Sequence, residues 1–321
     1  MPSLVSQPLR RYCRCALFAN AETCTSLPVA VETKPRACCA WLVYVRSFVG
    51  ESHARRHRCV GVPSRRFYSS NRPAERYEPT VLLDDICFGE GPRWRNGRLY
   101  FSDFYAATTL KEGPDGKMHL VGGGEVRSVT LDGQSEVVAK VPGRPSGLGF
   151  VDQKDFCREE TLLCVSMTDR RLVAIDLLDG TLSLIANLAK HTGGPCNDCV
   201  VCPASGRTWV GNFGWDLFGG EDQNATRLVL VDLDGSDPRP TGGDVLFPNG
   251  GVLANDGETL VVAESFAKRL TAFDVCAVTG ELTNQRVWAE LPHIPDGIAR
   301  TTRAASGWRA RRLTPKIALA A

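Results

Sequence analysis

Between residues 81 and 298, apolar residues come in short runs separated by clusters of Gly, Asp, Asn and Pro. Examples are Arg98–Asp103, Thr161–Met167, Leu172–Leu177, Arg207–Asn212, Leu228–Leu233, Thr259–Glu264 and Leu270–Val275. Each run is long enough for one strand and too short for a helix, and no 3.6-residue period is sustained. The pattern predicts an all-β chain.

The runs repeat. Each unit opens with a small polar step: Gly89-Glu90-Gly91-Pro92, Pro145-Ser146-Gly147, Cys196-Asn197-Asp198, Pro248-Asn249-Gly250 and Pro295-Asp296-Gly297. The middle residues lie 56, 51, 52 and 47 positions apart. A second marker recurs later in each unit, at Leu131-Asp132-Gly133, Leu178-Asp179-Gly180, Leu233-Asp234-Gly235 and Thr279-Gly280. Asp-Gly between apolar runs is a hairpin signal. A unit of about 50 residues with four short strands is one β-propeller blade. The predicted blades span residues 80–141, 142–194, 195–247 and 248–293, with a fifth opening at Asp296.

A blade's first strand lines the central channel, so the repeat turns spacing into a site. Glu90, Ser146, Asn197, Asn249 and Asp296 are expected to meet at one mouth of the channel. Any one of them alone reads as an ordinary turn residue. Together they form an oxygen-only pocket of the kind hard cations such as Ca²⁺ prefer. Cys196, Cys199 and Cys202 have metal-like spacing but start a strand, where residues i and i+3 face opposite ways. They read as packing, as do Cys87, Cys157, Cys164 and Cys276. His191 and His293 read as loop residues near the rim. The stretch from Ala106 to Gly124 reads as a surface loop. It is not a phosphate loop, which needs a following helix and a Lys-Ser/Thr pair.

Charge divides the chain. Residues 1–78 carry 13 Lys/Arg against 5 Asp/Glu, residues 79–299 carry 19 against 31, and residues 300–321 carry 6 against none. The acidic body argues against nucleic acid as a partner and suits a cation. No apolar run is long enough for a membrane span. Residues 1–78 are Arg-rich, hold six of the 13 Cys and show no sustained period, so they read as a disordered leader or a transit peptide. Arg66-Phe67-Tyr68-Ser69 resembles a mitochondrial cleavage site. The expected compartment is cytoplasmic or mitochondrial. No signal-peptide core follows the start, so neither secretion nor a disulfide framework is expected. Residues 300–321 lose the strand pattern abruptly after Ile298 and read as a basic tail, with the look of another reading frame.

At its opening motifs the chain resembles the senescence marker protein, gluconolactonase and regucalcin-like family. The matching residues are Phe88–Trp94, Asn197-Asp198 with Gly206–Gly214, Pro248-Asn249-Gly250 and Pro295-Asp296-Gly297. The resemblance covers about residues 80–299. It implies a six-bladed β-propeller with one divalent metal on the axis, Ca²⁺ foremost, with Zn²⁺, Mg²⁺ and Mn²⁺ as alternatives. By that resemblance Glu90, Asn249 and Asp296 are the metal ligands, Asn197 is the substrate-binding residue, and Asp296 is also the acid/base residue. The implied reaction is hydrolysis of a lactone or similar cyclic ester, with the metal polarising the carbonyl and the Asp activating water. No G-x-S-x-G elbow supports a serine hydrolase.

Two departures shape the expectation. Sugar-lactone members carry an Arg two positions before the pocket Asn, and here that position is Pro195. Phe213, Trp215 and Phe218 offer an apolar wall instead, or ordinary blade packing. The second departure is blade number: four units and the start of a fifth are encoded where the family has six. The alternatives to a hydrolase are therefore a non-catalytic calcium-binding propeller and an inactive truncated member with open blade faces. The oligomeric state is left open.

Overall fold

The computed structural model describes residues 15–19, 29–33, 80–114, 118–152, 161–300 and 317–319. The possible presequence site at residues 66–69 and Cys157 lie outside them. Twenty-one strands follow in chain order. They are β1 (Cys15–Ala19), β2 (Val29–Thr33) and β3 (Thr80–Ile86), then β4 (Gly89–Arg95), β5 (Arg98–Glu112), β6 (Met118–Thr130) and β7 (Ser135–Val141). Next come β8 (Pro145–Val151), β9 (Thr161–Ser166), β10 (Arg171–Asp176), β11 (Leu182–Asn187), β12 (Cys196–Val201), β13 (Thr208–Asn212), β14 (Thr226–Val231) and β15 (Arg239–Val245). The series ends with β16 (Pro248–Ala254), β17 (Thr259–Glu264), β18 (Arg269–Val275), β19 (Leu282–Glu290), β20 (Ile298–Arg300) and β21 (Ile317–Leu319).

β4 to β19 form four antiparallel four-stranded sheets, each a meander of consecutive strands. These are propeller blades, and each falls within its predicted unit, except that residues 80–86 of the first unit form β3 and belong to another sheet. The four Gly of the second marker connect third and fourth strands with left-handed φ: 86° at Gly133, 74° at Gly180, 73° at Gly235 and 76° at Gly280. Only glycine takes such angles at no steric cost, which is why the marker repeats.

The core lies between blades. Val126, Val141, Leu148, Leu162 and Ile175 fill the gap between the first and second blades. Val151, Leu163, Val165, Val210 and Val229 fill the next gap, and Trp209, Leu230, Leu260 and Phe273 the third. First strands β4, β8, β12, β16 and β20 neighbour one another in succession around the axis. There the backbones touch. A Cβ on Gly250 would stand 2.7 Å from Gly297 Cα, and one on Gly147 would collide with Cys199 N. The glycine after Glu90, Ser146 and Asn249 is thus a packing requirement.

The outer rim of the third and fourth blades is tied by charge. Arg207 Nε donates to Asp232 Oδ1 (2.8 Å), Arg239 Nη1 to Asp232 Oδ2 (3.2 Å) and Arg239 Nε to Glu281 Oε1 (2.7 Å). Thr241 Oγ1 donates to Glu281 Oε2 (2.8 Å), and Trp209 Nε1 to Gly280 O (2.9 Å).

Several expectations are corrected. The stretch 106–124 is not a loop: β5 and β6 run through it as one long hairpin, paired from Ala107–Gly123 to Glu112–Met118. Two strands, β1 and β2, form within the Arg-rich head, with β1 pairing both β2 and β3. They give β3 a neighbour that an edge strand would otherwise lack. β3 in turn packs Leu82, Leu83 and Ile86 on the first blade, covering a face expected to be open. In the tail, β20 pairs β21, so the segment after Asp296 has a sheet partner. Cys276 is exposed rather than a packing residue.

Candidate metal and active site

The opening residues share a local device. In all four first strands the pairing register slips at this point: between Glu90 and Arg93, Pro145 and Leu148, Cys196 and Cys199, and Pro248 and Gly251. Such bulges re-aim a side chain out of the strand's alternation. Here they free the opening residue from the blade core while the residues below it keep their apolar pairing.

A belt of hydrogen bonds links successive blades at this level. Ser102 Oγ donates to Ser146 O (2.7 Å), Ser146 Oγ to Asn197 Oδ1 (3.5 Å) and Asn197 Nδ2 to Pro248 O (3.2 Å). Asn249 Nδ2 donates to Ser265 Oγ (3.1 Å), whose hydroxyl donates to Pro295 O (2.7 Å), and Gly250 N–H donates to Asp296 O (3.2 Å). Because Ser265 spends its proton on Pro295, it must accept from Asn249. That fixes the amide with its oxygen turned the other way. One hydroxyl thus orients Asn249 and the backbone beside Asp296.

Two buried acids hold the lead-ins of the first and fourth blades. Asp103 Oδ1 accepts from Cys87 N–H and Phe88 N–H, both at 3.0 Å, just before Glu90. Glu264 Oε2 accepts from Leu246 N–H (2.7 Å), just before Asn249, and its other oxygen takes Arg269 Nε (2.7 Å) and the Thr271 hydroxyl. Asp103 pairs with Gly89 and Glu264 with Pro248, equivalent places in the two blades. The other two blades have Ser166 and Asn212 there.

The buried acids at this end of the axis influence one another's charge. Burial pushes the Glu90 carboxyl well above its ordinary range, and the charges of Asp296 and Asp198 push it further. Asp296, almost fully buried, is raised to about 7 by burial and then by Asp198, against a bond from Asn249. Asp198 is raised by burial, with Arg93 pulling the other way. Arg93 reaches across the axis from the first blade, its Nη2 donating to Cys199 O in the third (3.4 Å). Glu90, Asp198 and Asp296 therefore form a mutually repelling set. Ser146 and Asn197 join the belt beside them, and Asn249 bonds Asp296.

Asp198 is the residue not singled out from sequence. It stands where the other four openings have Gly91, Gly147, Gly250 and Gly297. That break in the register was the available signal. Its Oδ1 is buried with no hydrogen-bond partner. It also borders an enclosed space of about 10 Å³ shared with Asn249 and Trp209, room for about one water.

Residues able to hold a cation are Glu90, Asn249 and Asp296, with Asp198 adjacent. Among the described residues no three His, Cys, Asp or Glu side chains gather as a ready-made cage. The nominated set has two carboxylates and completes itself with an amide. Its chemistry fits a hard cation: all donors are oxygen, the carboxylates repel one another, and one buried oxygen lacks a partner. The cysteines do not compete. Cys196 and Cys199 are buried, and burial pushes both thiols up to about 12. His293 is exposed and His191 half-buried.

A family model described as the SMP-30/Gluconolactonase/LRE-like region matches residues 88–317, past the Ile298 limit read from the motifs. A gluconolactonase from Xanthomonas campestris superposes with a TM-score of 0.50 at 22% identity, over 70% of this chain and 69% of that one. The calcium-binding protein regucalcin from Agrobacterium tumefaciens gives 0.49 at 21%, over 67% and 64%. A chain of a nidogen–laminin complex gives 0.51 at only 11% identity, over 70% and 73%. Structural likeness at these identities speaks for the fold and not for the chemistry. A search of curated proteins finds no match. None of the described residues forms a helix long and apolar enough to cross a membrane.

Proposed function

The chain belongs to the SMP-30/gluconolactonase/LRE-like family, and from that premise we propose that it is a divalent-metal-dependent hydrolase of lactones or similar cyclic esters. The observation that carries the reading is the succession of first strands β4, β8, β12, β16 and β20 around the axis, with Glu90, Asn197, Asn249 and Asp296 at or just before the start of four of them. Burial and neighbouring charge raise the Glu90 and Asp296 carboxyls, and acids so placed are costly unless a cation uses them.

In this reading Glu90, Asn249 and Asp296 hold the ion, with Ca²⁺ the best match to the donor set. When bound, the ion supplies positive charge to a lactone carbonyl oxygen. Asp296 takes a proton from the attacking water and returns it to the ring oxygen as the C–O bond breaks, leaving a hydroxy acid. Asn197 has one amide proton on Pro248 O and uses the other to position the ester. Arg93 counters the Asp198 charge. Asp103, Glu264 and Ser265 act at one remove by fixing the strands that carry Glu90 and Asn249.

The test is a thermal melt of the full chain against Ca²⁺, with lactone hydrolysis followed by acid release. The expected result is a midpoint that rises with Ca²⁺ and a turnover that chelation removes. Full-rate hydrolysis without metal would sink the reading. A Ca²⁺-linked melt with no turnover across a broad lactone panel would leave a calcium-binding propeller instead.

A further inference from the structure

The face that carries the opening residues also carries a group of aromatic side chains, each placed by a site residue. Phe88 lies two residues before Glu90, and Phe247 two before Asn249. Phe104 N–H donates to Phe88 O (2.9 Å), and Phe213 N–H to Pro195 O (2.9 Å), two residues before Asn197. Phe266 follows Ser265, the partner of Asn249. Their rings stack outward. Phe213 lies on Phe247 with centroids 4.4 Å apart and planes at 20°. Phe266 meets Phe247 edge-on at 4.9 Å and Trp215 at 5.6 Å, and Phe218 leans on Phe213 at 5.9 Å.

The inner rings are buried, yet the outer layer is open. Phe266 is 43% exposed, Phe218 55%, and Ile294, two residues before Asp296, 46%. Single apolar side chains are exposed elsewhere on the molecule, but here Phe266 and Phe218 extend a ring cluster that begins beside the opening strands. Apolar surface placed next to polar chemistry marks a binding face. The three open side chains, Phe266, Phe218 and Ile294, carry no hydrogen-bonding group, so a row of hydroxyls laid on them would find no side-chain partner.

We propose that the substrate is a lactone bearing an alkyl or aryl substituent rather than a polyhydroxylated ring, and that Phe266, Phe218 and Ile294 hold the substituent. This rests on the hydrolase reading for the ring but not for the apolar contact. The test uses non-hydrolysable cyclic amides, so that binding is read apart from turnover. Calorimetry on the full chain with Ca²⁺ would compare 2-piperidone, its 6-pentyl derivative and gluconolactam. Each buried methylene is worth about threefold in affinity, so the pentyl compound, with about four of its carbons buried, should bind roughly 100-fold tighter than the parent. Gluconolactam should bind no tighter than the parent.

Phe266→Ala should cost the pentyl compound at least tenfold more affinity than the parent. Phe218→Ala, at the more exposed ring, is the control should Phe266→Ala fail to fold. Tighter binding of gluconolactam, equal losses for both piperidones, or no binding of any lactam would overturn the proposal. Pentyl-selective binding with no lactone hydrolysis would uphold the apolar contact while removing both the lactone substrate and the hydrolase reading.

Discussion

Two charged clusters sit on the same blades and behave oppositely. At the outer rim, Asp232 and Glu281 face Arg207 and Arg239, and every charge has a partner. Bonds from Arg207 and Arg239 hold Asp232 below the ordinary carboxylate range although burial opposes them. Arg239 does the same for Glu281. At the axis, Glu90, Asp198 and Asp296 face one another and all three are raised. The rim uses charge to join blades. The axis gathers acids whose mutual repulsion works against the fold, and such placement is a mark of function.

The sharpest way to break the comparison is Asp296→Ala. It should lower lactone turnover by roughly 10²- to 10⁴-fold, the usual contribution of a general base, and remove the Ca²⁺ dependence of the melt. Turnover within a few-fold of the parent chain would show that the axial carboxylates are not catalytic.

Stability separates the clusters by sign. Arg239→Met at the rim should cost about 1 kcal/mol, a modest figure because the side chain is partly exposed. Asp198→Asn at the axis should stabilise the ion-free chain by about 1 kcal/mol by relieving like-charge repulsion. The same substitution should weaken the rise in midpoint with Ca²⁺. Denaturant melts with and without chelator read both. Loss of stability in both variants would mean that the axial carboxylates are structural.

Acid sharpens the rim side. Asp232 and Glu281 have depressed values in the folded chain, so the stability they give is complete above the ordinary carboxylate pKa of about 4. It is lost as pH falls through their folded values. The parent chain should therefore lose more stability below pH 4 than Arg239→Met, as measured by melts at stepped pH. The smallest expected effect belongs to Ser265→Ala. It frees the Asn249 amide to turn, which should weaken Ca²⁺ binding about threefold, with Ser265→Thr restoring most of it.

The blades were legible because their signals are local. Each Asp-Gly turn and each opening step lies within one unit, and the spacing alone set the strand groups. What was not legible depends on distant pairing. The Gly122-Gly123-Gly124 stretch looks like a loop, yet the backbone of Val141 and Pro142 packs so closely against Gly123 that no side chain fits. β1 and β2 lack a sequence signature of their own, and β1 finds its second partner more than 60 residues away. At the site, Glu90, Asn249 and Asp296 stand out as opening residues from register, while their nomination as ligands rests on the family resemblance. Asp198 did not, because it occupies a slot that glycine fills in every other unit.

The bulges at the channel mouth have a consequence for how the protein can change over generations. Below each slip, strand pairing and blade packing constrain nearly every side chain. At the slip, the opening side chain leaves the strand's alternation and bonds to the next blade instead. Exchanging Ser146 or Asn197 for another donor would therefore disturb the joint between blades rather than the pairing within one. A change of chemistry at the mouth is also a change in how neighbouring blades are held.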